Sequence, residues 1–169
     1  SVSQATAAAS SSQNQSKYEA NVASVAGKMD NRVIAAYQQL GFKLVVDPSV
    51  NYSGYFDARS RSITMKQIDD SVYHELGHFL AFIAGNADKT ASFQSIFAAE
   101  KANVTAFNKA YVTQNASEYF AESVKDYILN NASLKSSRPQ TYAAVQNALN
   151  QITDAQIAKI QKIYGAFWN

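Results

Sequence analysis

The chain has 169 residues, a formal net charge of +2 and no cysteine. A domain of this length can bury a core without covalent staples, and the lack of cysteine excludes a disulfide framework and a thiolate metal site within this sequence. Lysine and arginine are scattered and no apolar run approaches the roughly 20 residues of a membrane span, so we expect neither a nucleic-acid surface nor a transmembrane helix.

The first residues differ in composition from the rest of the chain. Residues 1–16 consist mostly of Ser, Ala and Gln, without charged or aromatic side chains. Such a segment cannot bury enough apolar surface to order itself easily. We interpret it as a flexible leader that follows a removed signal peptide, which predicts a secreted protein; the alternative is a cloning tail. Residues 17–169 are then one domain.

Apolar spacing predicts the elements in chain order. Residues 17–28 and 31–40 have helical periodicity, and residues 42–46 follow as a strand. Residues 54–57 and 61–65 indicate a hairpin, and a helix begins near Asp70 and ends near Gly85. The remaining helices are expected over residues 91–102, 116–130, 140–151 and 154–166, with 104–114 ambiguous. The pattern predicts a mostly helical α+β domain with a small three-stranded sheet beside the helix that starts at Asp70.

That helix carries the segment most typical of catalysis. His74 and His78 are four residues apart, so both imidazoles lie on one helix face and can reach one metal ion. Glu75 is placed to hydrogen-bond a water on that metal without ligating it. Gly77 costs about 1 kcal/mol in helix propensity, which indicates the close approach of a strand or a substrate. The motif predicts a zinc hydrolase with Glu75 as general base.

A catalytic zinc needs a third protein ligand and an open position. Since the chain has no other histidine and no cysteine, a carboxylate must fill that role. Glu118 and Glu122 share one face of a predicted helix, so one could ligate and the other could orient a histidine. Glu118 could instead complete a capping box with Asn115. Spacing does not choose among the candidates, which are Glu100, Glu118, Glu122 and Asp126.

Several separated segments resemble one family. The run from His74 to His78, then Tyr111, then residues 118–123 are similar to the catalytic domain of anthrax lethal factor, and closer still to the small clostridial Pro-Pro endopeptidases. Residues 93–100 and 138–142 also resemble the Pro-Pro enzymes, so the similarity runs from about residue 72 to 146. The resemblance implies a zincin-type fold and one Zn²⁺ per chain.

The resemblance also implies a role for each matching residue. Glu118 matches the third metal ligand beside His74 and His78, and Glu75 matches the general base. Glu122 matches a supporting acid behind the ligands. Tyr111 matches a tyrosine whose hydroxyl faces the scissile carbonyl and stabilises the oxyanion. The substrate implied is a peptide or protein, and we expect a monomer.

The substrate side is where this chain departs from its relatives. The Pro-Pro enzymes carry a long Gly- and Trp-containing insertion before the HExxH helix, where this chain has the short hairpin of residues 55–65. The resemblance therefore implies peptidase chemistry without implying cleavage between prolines. Ile63, Thr64 and Met65 form a candidate edge strand that pairs with an extended substrate, or a plain structural edge.

The alternative function is a non-catalytic module that keeps this fold and binds a peptide or a surface. The intact Glu75 argues against it, because a binding module has no use for a base beside the metal. A structural zinc site would need a fourth ligand, and none is evident in the sequence.

Overall fold

The structure is a computed structural model, and it describes residues 16–168. The leader expected at residues 1–16 therefore lies outside the described residues except for Ser16. The strands are β1 (Tyr18–Ala20), β2 (Lys43–Val46), β3 (Gly54–Asp57) and β4 (Ser62–Met65). The helices are α1 (Val22–Val25), α2 (Asn31–Gln39), α3 (Ser71–Ile83), α4 (Ala91–Glu100), α5 (Lys109–Val112), α6 (Ala116–Leu129), α7 (Asn131–Ser137), α8 (Pro139–Asn150) and α9 (Asp154–Trp168). The expected mostly helical α+β architecture is confirmed.

The sheet has four strands in the order β1-β2-β4-β3, rather than the three expected. The extra strand, β1, lies within residues 17–28, which the periodicity assigned to a helix. Asn21 explains the difference, because its side chain caps α1 by accepting from the backbone N–H groups of Ala23 and Ser24. The helix therefore begins only at Val22, and the preceding residues pair antiparallel with β2.

The strand expected to meet the substrate lies inside the sheet. Residues Ile63, Thr64 and Met65 belong to β4, which pairs in parallel with β2 and antiparallel with β3. The expectation that they form an edge is wrong, because both sides of β4 are occupied and Ile63 and Met65 are fully buried. The hairpin itself is confirmed, and its first strand, β3, is the edge.

Helix α3 lies at the centre of the core. Its apolar stripe contacts the sheet on one side and α6 on the other, and every predicted member of the stripe is fully buried. Those members are Val72, Leu76, Phe79, Leu80 and Ile83. Full burial of each such side chain contributes about 1.5–3 kcal/mol to the free energy of unfolding. Rotating α3 about its axis or moving it out of the core would therefore be costly.

Helices α3 and α6 meet backbone to backbone. A Cβ at Gly77 would lie 2.6 Å from the carbonyl oxygen of Ala121 and 2.7 Å from its Cα. The close neighbour is therefore α6, and not the strand or substrate expected from the sequence. Without a side chain at position 77, two helices that carry polar site residues come close enough for those residues to meet.

The rest of the chain supports this helix pair. Helices α4, α6, α8 and α9 lie within a few residues of their predicted bounds. Two helices were not predicted, α5 within the ambiguous stretch and the seven-residue α7, because segments of one or two turns show too little periodicity. Across residues 16–168, the structure contains no helix with the length and apolar character needed to cross a membrane.

Candidate metal centre

Three side chains of α3 and α6 converge on one point. The Nε2 atom of His74 lies 3.1 Å from one carboxylate oxygen of Glu118, and Nε2 of His78 lies 2.9 Å from the other. One candidate ligand atom from each residue falls within 4.8 Å of the other two. The structure thus brings together the two histidines of the motif and the carboxylate that the family resemblance assigned.

The start of α6 leaves the Glu118 side chain free for this role. Asn115 caps the helix by accepting from the backbone N–H of Glu118 at 2.8 Å. The reciprocal half of a capping box would require the Glu118 carboxylate to turn back toward Asn115. Instead it faces His74 and His78, so capping and metal binding use different atoms of the same residue.

Glu122 lies one helical turn behind Glu118 and contacts the other nitrogen of His74. Its Oε2 is 3.4 Å from Nδ1 of His74, and its Oε1 is 3.7 Å from Nζ of Lys125. A carboxylate at Nδ1 favours the tautomer whose Nε2 lone pair faces the metal position. The supporting acid expected from the resemblance is therefore in place to orient His74.

The other two acids considered as ligands are engaged elsewhere. Glu100 is buried at the end of α4, where its carboxylate accepts from the backbone N–H groups of Gln140 and Thr141 at the start of α8. Asp126 forms an ion pair with Arg138 at 2.6 Å. Both acids join helices to one another, so neither is available at the histidine pair.

When no metal is bound, the histidines and carboxylates of the cluster shift one another's pKa values. Burial opposes protonation of His74, but its hydrogen bonds to Glu118 and Glu122 outweigh that effect and raise the pKa of the imidazole to about 9. Burial also disfavours the charged form of Glu118, yet the two histidines hold the pKa of this carboxyl far below its usual range. A cation is therefore favoured at this point, and a divalent metal would displace the proton of His74.

Glu75 lies next to the ligands but does not join them. Its side chain is buried, and that burial raises the pKa of its carboxyl, while the histidines and the backbone N–H of Phe56 act in the opposite direction. The Glu75 side chain lies directly against β3, since a Cβ at Gly54 would be 2.8 Å from Cγ of Glu75 and 3.0 Å from its Oε2. A desolvated carboxylate with a raised pKa is a stronger base than an exposed one.

The cluster opens into a cleft of about 450 Å³. Both His74 and Glu75 line it, and so does Tyr111, which is 55% exposed. Partial burial and the neighbouring Glu118 carboxylate raise the pKa of Tyr111 to about 12, so its phenol stays protonated at neutral pH. Tyr111 therefore keeps a donor hydrogen beside the candidate metal position.

Several lining residues lie outside the motifs that predict the site. They are Tyr52, Ser53, Gly54, Ser71, Asn108 and Lys125. Gly54 is the one that the sequence could have indicated, because a glycine inside a strand often marks the close approach of another group. The others lie in loops and on helix faces whose neighbours depend on the tertiary fold.

Fold and site together define an α+β domain with a candidate metal centre of two histidines and one glutamate. The family model for the anthrax toxin lethal factor N- and C-terminal domain matches residues 58–148, which is just over half of the chain. The chain belongs to this family. The matched range includes the HExxH segment of α3 and all of α6, so the predicted resemblance is confirmed.

A curated relative is similar over a shorter range. The Pro-Pro endopeptidase of Clostridioides difficile (strain 630) is 41% identical over 78 residues, covering 44% of this chain and 34% of the relative. The aligned region thus spans about a third of the length of that protein. The similarity supports the second family resemblance seen in the sequence.

Proposed function

We propose that this protein is a zinc-dependent endopeptidase. The observation that carries the proposal is the convergence of His74, His78 and Glu118 within 4.8 Å. His74 and the buried Glu75 connect this point to an open cleft, because both line it. Membership of the lethal factor family and similarity to a protein named Pro-Pro endopeptidase support the same activity.

The donor set fits zinc. Two imidazole nitrogens and one carboxylate oxygen are the ligands of many catalytic zinc sites, which leave a fourth position for water or substrate. The contact between Glu122 and Nδ1 of His74 supplies the outer support that such histidines usually have. Zinc bound by His74, His78 and Glu118 would lower the pKa of a coordinated water toward about 7 and polarise the substrate carbonyl.

The protein side of the reaction uses two further residues. The Glu75 carboxylate takes a proton from the water that attacks the carbonyl carbon, and passes it to the nitrogen of the leaving amine. The Tyr111 hydroxyl donates a hydrogen bond to the carbonyl oxygen as negative charge develops there. One water is consumed as the C–N bond breaks, and the products are a carboxylic acid and an amine, which at neutral pH become a carboxylate and an ammonium group.

The substrate in this proposal is an extended peptide that lies along β3. This strand replaces β4 as the candidate partner, because β3 is the open edge of the sheet and its Gly54 lines the cleft. An extended chain adds to such an edge through main-chain hydrogen bonds. Bonds between prolines belong among the substrates to be tested, since the relative is named for them.

The test is a digest of a peptide library by the purified protein, with and without a chelator. We expect cleavage that the chelator abolishes and that added zinc restores. Cleavage insensitive to chelator would contradict a metal mechanism, and peptide binding without cleavage would favour a non-catalytic module. Sequencing of the products would give the residues on each side of the cut, and a parallel Pro-Pro peptide would test the bond named in the relative.

Secretion and the monomeric state stay predictions. Secretion is based on the composition of residues 1–16 and predicts that the protein accumulates in the culture medium of its source. The monomer predicts a single species near 18 kDa in solution. Retention of the protein inside cells would contradict secretion, and a dimer found by sedimentation would contradict the monomer.

A further inference from the structure

Gly54 occupies the point where the edge strand meets the candidate base. A Cβ built there would lie 2.8 Å from Cγ of Glu75, 3.1 Å from Cδ and 3.0 Å from Oε2. These distances are shorter than van der Waals contact, so any side chain at position 54 would overlap the Glu75 side chain. The strand and the carboxylate fit together only because position 54 has no side chain.

The glycine is not required by the backbone. Positive φ angles occur at Gly41 and Gly85 but not at Gly54, which sits in regular antiparallel pairing opposite Met65. An alanine could adopt this conformation without strain, and glycine in a strand interior is normally unfavourable. The reason for a glycine here is therefore the space it leaves for Glu75.

The strand has little freedom to retreat from a larger side chain. Two residues along, the Phe56 ring stacks on His78 with centroids 6.4 Å apart and meets Phe79 edge-on at 6.2 Å. On the other side β3 is paired with β4, whose Ile63 and Met65 are fully buried. The atoms that a new Cβ would meet are the Cγ, Cδ and Oε2 of Glu75, which side-chain torsions can move, so the Cβ would displace the carboxylate and not the strand.

We propose that Gly54 is a positioning residue that sets the location of the Glu75 carboxylate relative to the metal ligands. This inference rests on the proposed endopeptidase function, in which Glu75 moves the proton. Gly54 acts through Glu75 and need not touch the reacting atoms. Because the metal ligands come from α3 and α6, a substitution at position 54 leaves them in place while the base moves.

Gly54→Ala tests the inference, with Gly165→Ala as matched control because a Cβ at Gly165 has nothing within 4 Å. We expect Gly54→Ala to keep one zinc per chain and a wild-type melting temperature. Its kcat should fall by about 10²-fold, the effect of moving a reacting group by about 1 Å. Loss of zinc or of the fold would make Gly54 a structural residue and overturn the proposal, and so would an unchanged kcat.

Peptide affinity separates positioning from obstruction of the cleft. In a Glu75→Ala background, adding Gly54→Ala should leave the Kd of a cleaved peptide within about twofold, because no carboxylate remains to displace. A large rise in Kd would show that the new methyl blocks the substrate, and would overturn the proposal.

Crystal structures of the wild type and Gly54→Ala supply a readout that does not depend on activity. With His74, His78 and Glu118 superposed, the Glu75 carboxylate should move by about 1 Å or more, and an unmoved carboxylate would refute the inference. If the wild-type protein cleaves no peptide, the endopeptidase proposal fails, whereas a displaced Glu75 would still establish the geometric effect of position 54.

Discussion

The floor and the rim of the cleft are built in opposite ways. The floor consists of His74, Glu75 and Glu122, which line the cleft from α3 and α6, together with His78 and Glu118, which contact His74 or lie one turn from it on the same two helices. The rim consists of Tyr52, Asn108 and Tyr111, which line the cleft from loops and the short α5. On the floor His74 and Glu75 are each 7% exposed, whereas on the rim Tyr111 is 55% exposed.

The difference indicates that floor and rim residues have separate roles. Floor residues are held by core packing and by one another, so the candidate metal site is preorganised and depends on the stability of the helix pair. Rim residues make few internal contacts and are free to meet a substrate. Substitutions on the floor, apart from those of the candidate base Glu75, should therefore affect folding or metal binding, and substitutions on the rim should affect turnover alone.

The largest effect on stability is expected at the contact between the two helices. Gly77→Ala would place a methyl group 2.6 Å from the Ala121 carbonyl, and this backbone cannot move without separating α3 from α6. Overpacking of this kind costs about 3 kcal/mol, which corresponds to a fall of about 6–12 °C in melting temperature for a chain of this size. Calorimetry measures the melting temperature. A value equal to that of Gly165→Ala would contradict a rigid contact between α3 and α6.

On the rim, Tyr111→Phe should give the reverse pattern. Removing one hydrogen-bond donor to a developing oxyanion lowers kcat by about 10²–10³-fold, while the zinc content and melting temperature stay at wild-type values. Tyr18→Phe is the matched control, because Tyr18 is also exposed but lies on β1, the far edge of the sheet. Wild-type turnover in Tyr111→Phe would remove this residue from the site.

A smaller effect is expected behind the ligands. Glu122→Gln weakens the support of His74 at Nδ1 but leaves all three ligands in place. Loss of such an outer partner typically reduces metal affinity by about 10–100-fold. Competition with a chromogenic chelator measures this affinity, and an unchanged zinc Kd would show that Glu122 does not orient His74.

The smallest effect is a change in the number of protons that the protein holds when zinc binds. In the metal-free protein the pKa of His74 is about 9, so its imidazole is protonated at pH 7.5 and must lose that proton to bind zinc. Zinc binding should then release about one proton from His74, and zinc affinity should rise with pH up to about 9. Calorimetry in buffers of different ionisation enthalpy detects this release, and a heat independent of buffer would contradict it.

A feature of the fold or of the site could be predicted from the sequence when the residues that form it are close together along the chain. The spacing of His74 and His78 is local, so the sequence alone indicated a shared helix face and a metal site. The choice of Glu118 over Glu122 needed the family resemblance, because both lie on the same face of α6. The structure adds the contact that separates them, since Glu118 faces both histidines and Glu122 faces only Nδ1 of His74.

The sheet was harder to predict because strand order is not local. Parallel pairing of β2 with β4 places β4 inside the sheet and leaves β3 at the edge. No alternation of polar and apolar residues in a four-residue strand encodes that order, so the prediction that Ile63, Thr64 and Met65 form an edge strand is wrong. A glycine inside a strand indicates that some group comes close to Gly54, but the sequence does not name Glu75, which is distant along the chain.

The central claim is that Glu75 acts on a water beside a metal held by other residues. Glu75→Gln tests it most directly, with Glu19→Gln on β1 as control. We expect one zinc per chain in both variants, and a loss of about 10²–10⁴-fold in kcat/KM for Glu75→Gln only. Loss of zinc from Glu75→Gln, or cleavage at the wild-type rate, would contradict the assignment of Glu75 as the base.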